Sequence, residues 1–153
     1  MGGVVGGRKY GRGFQIDLFV ATGLRCQCVL MKVDRPLTEE ERQFLIWLLE
    51  HGKPEANQYL SQVPDVSVVG VCECGCPTID LAVKGKSFDD RWKGGNLILS
   101  NYLGTSPEGA SIGVMLHACR GLLAELEVFK FVDDKQKISL PHPDTLTPWK
   151  GNS

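Results

Sequence analysis

Apolar residues recur at helical spacing early in the chain and at every second position later, with the change near Val66. Phe44, Leu45, Leu48 and Leu49 form one stripe of an amphipathic helix. Thr38-Glu39-Glu40-Glu41 opens it. The Thr38 hydroxyl can accept from the Glu41 amide while the Glu41 carboxylate reaches back to the Thr38 amide. Acidic side chains in the first turn also suit the positive end of the helix dipole. Gly52 supplies the stop. Pro54 then opens a second, shorter helix, in which Ala56, Tyr59, Leu60 and Val63 share a side until Pro64-Asp65 ends it. Two such elements make a helical hairpin with one apolar side.

From Val66 the period falls to two. Val66, Val68, Gly70, Cys72, Cys74 and Cys76 share one face of an expected strand, and Pro77, which cannot donate to a ladder, marks a bend or an edge. Ile79, Leu81 and Val83 alternate again. Lys84 to Gly95 is polar and reads as a mobile loop anchored by Phe88 and Trp92. Asn96 to Leu103 is a further strand, closed by Gly104 to Gly109. Pro141, Pro143 and Pro148 exclude a long regular element in the tail, where Leu140, Leu146 and Trp149 can pin the chain across the sheet.

Ser111 to Phe131 predicts a hairpin, and its register follows from which carboxylates would be buried. With Cys119-Arg120-Gly121 as a three-residue loop, the opposed pairs are Ala118–Leu122, Leu116–Ala124, Val114–Leu126 and Ile112–Val128, all apolar. A two-residue loop, Arg120-Gly121, sets Leu116 against Glu125 and Val114 against Glu127. Burying those carboxylates would cost on the order of several kcal/mol each. The three-residue loop is therefore expected. It leaves Met115, His117, Glu125, Glu127 and Phe129 on the wet face, a mixed surface suited to a protein partner.

These elements predict an α+β fold, with an N-terminal helical hairpin packed on one face of a four- to five-stranded, mainly antiparallel sheet. At 153 residues the chain can bury a substantial core. Its start reads differently. Gly2, Gly3, Gly6, Gly7, Gly11 and Gly13 would lose much backbone entropy on ordering and offer few side chains in return. Met1 to Gln15 is expected to be disordered, and Ile16 to Leu30 has no clear period. Residues 1–30 are therefore expected to be a disordered or non-native extension, with Met31 a natural start and 31–153 a single domain. Cys26 and Cys28 then have no role.

A net charge of -1 gives no electrostatic reason to expect nucleic acid or an anionic membrane as partner. No run approaches the roughly 20 apolar residues that cross a bilayer. Leu18 to Leu24, preceded by Arg8, Lys9 and Arg12, resembles an export signal, but Asp17 sits at the edge of that short run and no small-x-small cleavage site follows it. The cysteines are accordingly expected as reduced thiols in the cytoplasm.

Cys72, Cys74 and Cys76 invite a metal reading that extended geometry opposes. Zinc thiolates at about 2.3 Å from the ion place sulfurs roughly 3.8 Å apart, whereas alternate side chains on a strand stand about 6.5–7 Å apart. The run is expected to pack as small hydrophobes, with metal or redox chemistry as the alternative. His117 and Cys119 share a face at the same wide spacing and suggest no nucleophile pair. Glu125 and Glu127 read as solubilising charges, and His142 as an exposed loop residue. No catalytic, cofactor-binding or metal-ligating residue is assigned, and no cofactor is expected.

The strings LTEEERQFLIWLL, VVGVCECGCPTIDL and GVMLHACRGLLAELEVF resemble a small bacterial protein family without an established activity. Its members carry a CxCGCPT[IV]DL-like segment followed by a strand-turn-strand of the LLxELEV kind. The resemblance runs from Leu37 to Trp149 and transfers no functional residue. The expected function is a protein-binding, immunity-type or regulatory module; the alternative is a metal-binding or redox protein using Cys72, Cys74 and Cys76.

Overall fold

A computed structural model describes residues 30–88, 95–132 and 134–150. The expectations for Met1 to Gln15, for Cys26 and Cys28 and for Trp92 lie outside the described residues. The capping box forms as its residues dictate, with the Glu41 amide donating to Thr38 Oγ1 at 3.0 Å and the Thr38 amide to Glu41 Oε1 at 2.9 Å. It starts helix α1 (Glu39–Glu50), which buries Phe44, Leu45, Leu48 and Leu49.

The second half of the expected hairpin, Pro54–Asp65, is a 3₁₀ helix. In an α ladder the Pro64 ring would strike the Leu60 carbonyl, which favours the tighter winding. Its apolar side still packs as expected, with Ala56 and Val63 in the core and Tyr59 and Leu60 against it, and one polar side chain also holds the sheet. Gln62 donates to the Gly121 carbonyl at 2.7 Å and accepts from the Leu123 amide at 2.9 Å.

Among the described residues the sheet has seven strands, where four to five are expected. They are β1 (Leu30–Pro36), β2 (Val66–Cys72), β3 (Ile79–Val83), β4 (Asn96–Thr105), β5 (Ser111–Cys119), β6 (Leu122–Lys130) and β7 (Thr147–Pro148). Their order is β1-β2-β3-β6-β5-β4-β7, and neighbours pair antiparallel. The two unforeseen strands are the edges. β1 carries Lys32, Asp34, Arg35 and Pro36 and a register shift between Lys32 and Arg35, so it lacks a clean alternation. Charge, proline and irregularity are what keep an edge from recruiting another strand. Leu30, assigned to the extension by sequence, opens β1 and pairs with Cys72.

The β5–β6 hairpin corrects the expected register. The turn is the two-residue Arg120-Gly121, with φ of 51° and 85°, and Cys119 pairs with Leu122. Left-handed geometry at both residues matches the twist of the flanking strands. A bulge between His117 and Ala118 then shifts the register. Leu116 consequently opposes Leu126 and Val114 opposes Val128, while His117 opposes Glu125 and Met115 opposes Glu127. The carboxylates never meet Leu116 or Val114.

Val68, Ile79, Leu81, Val114, Leu116, Leu126 and Val128 meet the α1 stripe in the core. The junction of helix and sheet is tight at Gly52. The Lys53 amide donates to the Leu99 carbonyl at 2.8 Å, and the Ser100 hydroxyl to the Leu48 carbonyl at 2.6 Å. Tyr102 donates to the His51 carbonyl. Leu99 stands at a register shift between Ile98 and Ser100. In the tail, Leu140 and Leu146 join the core, Trp149 stacks with Phe131 and its amide donates to the Asn101 carbonyl at 2.9 Å.

Candidate functional site

The extended run of cysteines does not exist as a strand. A register shift between Val68 and Gly70 puts Val68 opposite Leu81 but Gly70 opposite Asp80, so Gly70 and Cys72 turn away from the helical layer. β2 then ends at Cys72. The Gly75 amide donates to the Cys72 carbonyl at 3.1 Å, and Gly75 adopts φ of 87°, which a side chain would oppose. The chain folds back, and the sulfurs of Cys72, Cys74 and Cys76 come within 4.8 Å of one another. Strand spacing is therefore the wrong measure for this segment.

The Cys72 and Cys74 sulfurs are 2.9 Å apart, and the Cys76 amide points at the Cys74 sulfur at 3.4 Å. Cys72 is buried, Cys76 half-buried and Cys74 exposed. Lys137 leans over the turn, its Nζ 3.5 Å from where a Cβ on Gly75 would sit. The cluster thus has a buried anchor and a solvent-facing entry.

A second group forms across the centre of the sheet. Asp80 pairs with Glu125, and Glu125 with His117, so three ionisable side chains lie in one row over β3, β6 and β5. Glu127 stands one step along the same face, with Oε1 3.1 Å from His117 Nε2. Ligand atoms of His117, Glu125 and Glu127 lie within 4.8 Å of one another. Gly70, opposite Asp80, leaves room for its carboxylate, since a Cβ there would sit 3.1 Å from Asp80 Oδ2.

Met115, His117, Glu125, Glu127 and Phe129 do share a face, but it is not wet. His117 is 3% exposed, Glu125 0% and Glu127 4%, and Met115 and Phe129 are buried too. Phe129 lies across Gly113, its cross-strand partner. The expected partner surface and the solubilising role of the two glutamates are therefore corrected: both groups are interior. Cys119 is buried, and His142 is exposed, its Nδ1 accepting from the Asp144 amide at 3.1 Å. Phe88 stacks beneath the Arg120 guanidinium. Asp80 was missed. Its signal is a lone carboxylate inside the apolar run Ile79-Asp80-Leu81.

No family model, no curated protein and no solved structure matches this chain. Among the described residues, no helix is long and apolar enough to cross a membrane.

Proposed function

We propose that the protein binds a thiophilic metal ion through Cys72, Cys74 and Cys76. The observation that carries this reading is the convergence of the three sulfurs to within 4.8 Å at the turn after β2. Soft thiolates favour Cu(I), Cd²⁺ or Zn²⁺ over hard ions, and three of them suit a trigonal ion or a tetrahedral one with a further ligand. Each thiol loses its proton on ligation, so binding releases protons and strengthens as pH rises. A reducing compartment such as the cytoplasm keeps the ligands available.

The 2.9 Å separation of Cys72 and Cys74 favours one second reading. These two thiols can close to a disulfide as two electrons and two protons pass to a small disulfide oxidant, which leaves as two thiols. The protein-binding, immunity-type or regulatory reading took its positive hint from an exposed face of Met115, His117, Glu125, Glu127 and Phe129, and their burial removes that hint.

Anaerobic titration of the reduced protein with Cd²⁺ should raise a thiolate-to-metal charge-transfer band that saturates at a single ion. Cys74→Ser should weaken binding at least about tenfold. A flat absorbance with the thiols still reactive ends the metal reading. The redox reading is selected if mild oxidation removes two thiols while Cd²⁺ produces no band.

A further inference from the structure

We infer that His117, Glu125 and Glu127 form a second cation site, for a first-row divalent ion held by one imidazole nitrogen and two carboxylates. The inference is independent of the thiolate reading, because the donors and their chemistry differ. One neutral nitrogen and two hard oxygens suit Mn²⁺, Fe²⁺ or Zn²⁺ and not Cu(I). They are too few and too nitrogen-rich for Ca²⁺, which takes six or more oxygens.

The spacing fits such an ion. Ligands at about 2.1 Å on perpendicular axes stand roughly 3.0 Å apart, and opposite ligands about 4.2 Å. His117 Nε2 and Glu127 Oε1 are 3.1 Å apart, and all three donors fall within 4.8 Å. Coordination of one ion would therefore need the three donor atoms only to converge from within 4.8 Å.

The scaffold is rigid where the ligands sit. His117 and Glu125 face each other directly across β5 and β6, and Glu127 lies two residues along β6. The bulge between His117 and Ala118 sets this alignment; an unshifted two-residue hairpin would put Glu125 against Leu116 and turn it into the core. Asp80, buried and opposite Glu125, extends the row of ionisable groups onto β3. Cys72 is two strands from Glu125, on the order of 10 Å away, so the two groups cannot share an ion.

The competing arrangement is a protonated His117 ion-paired with Glu127 and the remaining carboxylates matched by cations of the chain itself. Mn²⁺ binding separates the two, and it does so without interference from the cysteine turn, because thiolates bind this ion poorly. The full-length wild-type protein is titrated with Mn²⁺ while the sharp electron paramagnetic resonance signal of the free aqueous ion is followed. The expected result is loss of that signal for a single equivalent, with electron spin echo modulation from an imidazole nitrogen on the bound ion. His117→Gln should remove the nitrogen modulation, and Glu125→Gln should weaken binding at least about tenfold while circular dichroism shows a folded chain. Should either variant fail to fold, the nitrogen modulation on the wild-type protein decides alone. A free-ion signal undiminished by folded wild-type protein, or bound Mn²⁺ without nitrogen coupling, overturns the inference. A Cd²⁺ charge-transfer band would persist in that case, so failure here is distinct from failure of the thiolate site.

Discussion

A Cβ on Gly113 would stand 2.4 Å from Phe129 Cζ, and one on Gly52 would stand 2.4 Å from the Leu99 carbonyl oxygen and 2.8 Å from that of Leu48. The obstacles differ in what they can do. A ring can slide; two carbonyls that end α1 and pin it to β4 cannot. Gly113→Ala is expected to cost about 1–3 kcal/mol through ring displacement, and Gly52→Ala more. Urea midpoints at unchanged slope measure both, and a milder effect at Gly52 than at Gly113 would contradict the ordering. Of the two glycines, sequence marks only Gly52, and only as punctuation. Gly52 reads as a helix stop, whereas its constraint is close approach of a distant strand, which no local pattern encodes. Asp80 was legible as an oddity, a carboxylate in an apolar run, and its partners came from two other strands.

Local chemistry made α1 readable at the scale of the element. Thr38 and Glu41 need no tertiary context to cap each other, and Thr38→Ala should cost about 1 kcal/mol. Glu41 adds a pH dependence. Burial opposes its ionisation, but hydrogen bonds from Arg35 and the Thr38 amide outweigh it and hold its pKa below the usual carboxylate value. A carboxylate depressed in the folded state stabilises the fold above its unfolded pKa and ceases to as pH falls through the folded one. The difference in unfolding free energy between wild type and Glu41→Gln should be present at neutral pH and shrink progressively below the ordinary carboxylate value near pH 4.3. A difference constant down to pH 2 would show that Glu41 gains nothing from ionisation. The strands were legible by period but not by face. Bulges between Val68 and Gly70 and between His117 and Ala118 each reverse the alternation; the first moved Cys72 to the other side of the sheet and the second brought Leu123 into the core. A bulge leaves no mark on a hydrophobic pattern beyond an extra small or apolar residue, here Val69 and Ala124. The three-residue loop was chosen to keep glutamates from the core. The structure reaches the same end with a tighter turn and one inserted residue.

For the molecule as a whole, the two sheet faces divide the work. One is apolar and carries α1; the other carries Cys72, Asp80, His117, Glu125 and Glu127, all buried. The antiparallel α+β class was readable because alternation and capping are local, while the edges were not, because β1 and β7 are built to look unlike strands. Placing both donor groups on one side has a consequence for stability. An ion that binds only the folded chain stabilises it by about 2.7 kcal/mol when its free concentration is 100 times its dissociation constant. In a domain of this size that corresponds to a rise in melting temperature of about 5–10 °C. Cd²⁺ should produce such a rise through the cysteine turn and lose it in Cys74→Ser; a chelator should reverse it. Mn²⁺ should produce its own rise, unaffected by Cys74→Ser and lost in Glu125→Gln. Sites on the order of 10 Å apart with no shared ligand are expected to add. With both ions present, the gain in unfolding free energy should therefore equal the sum of the separate gains within about 0.5 kcal/mol. A joint gain no larger than the greater single one would mean that the two ions compete for one set of ligands, which the separation of Cys72 from Glu125 forbids.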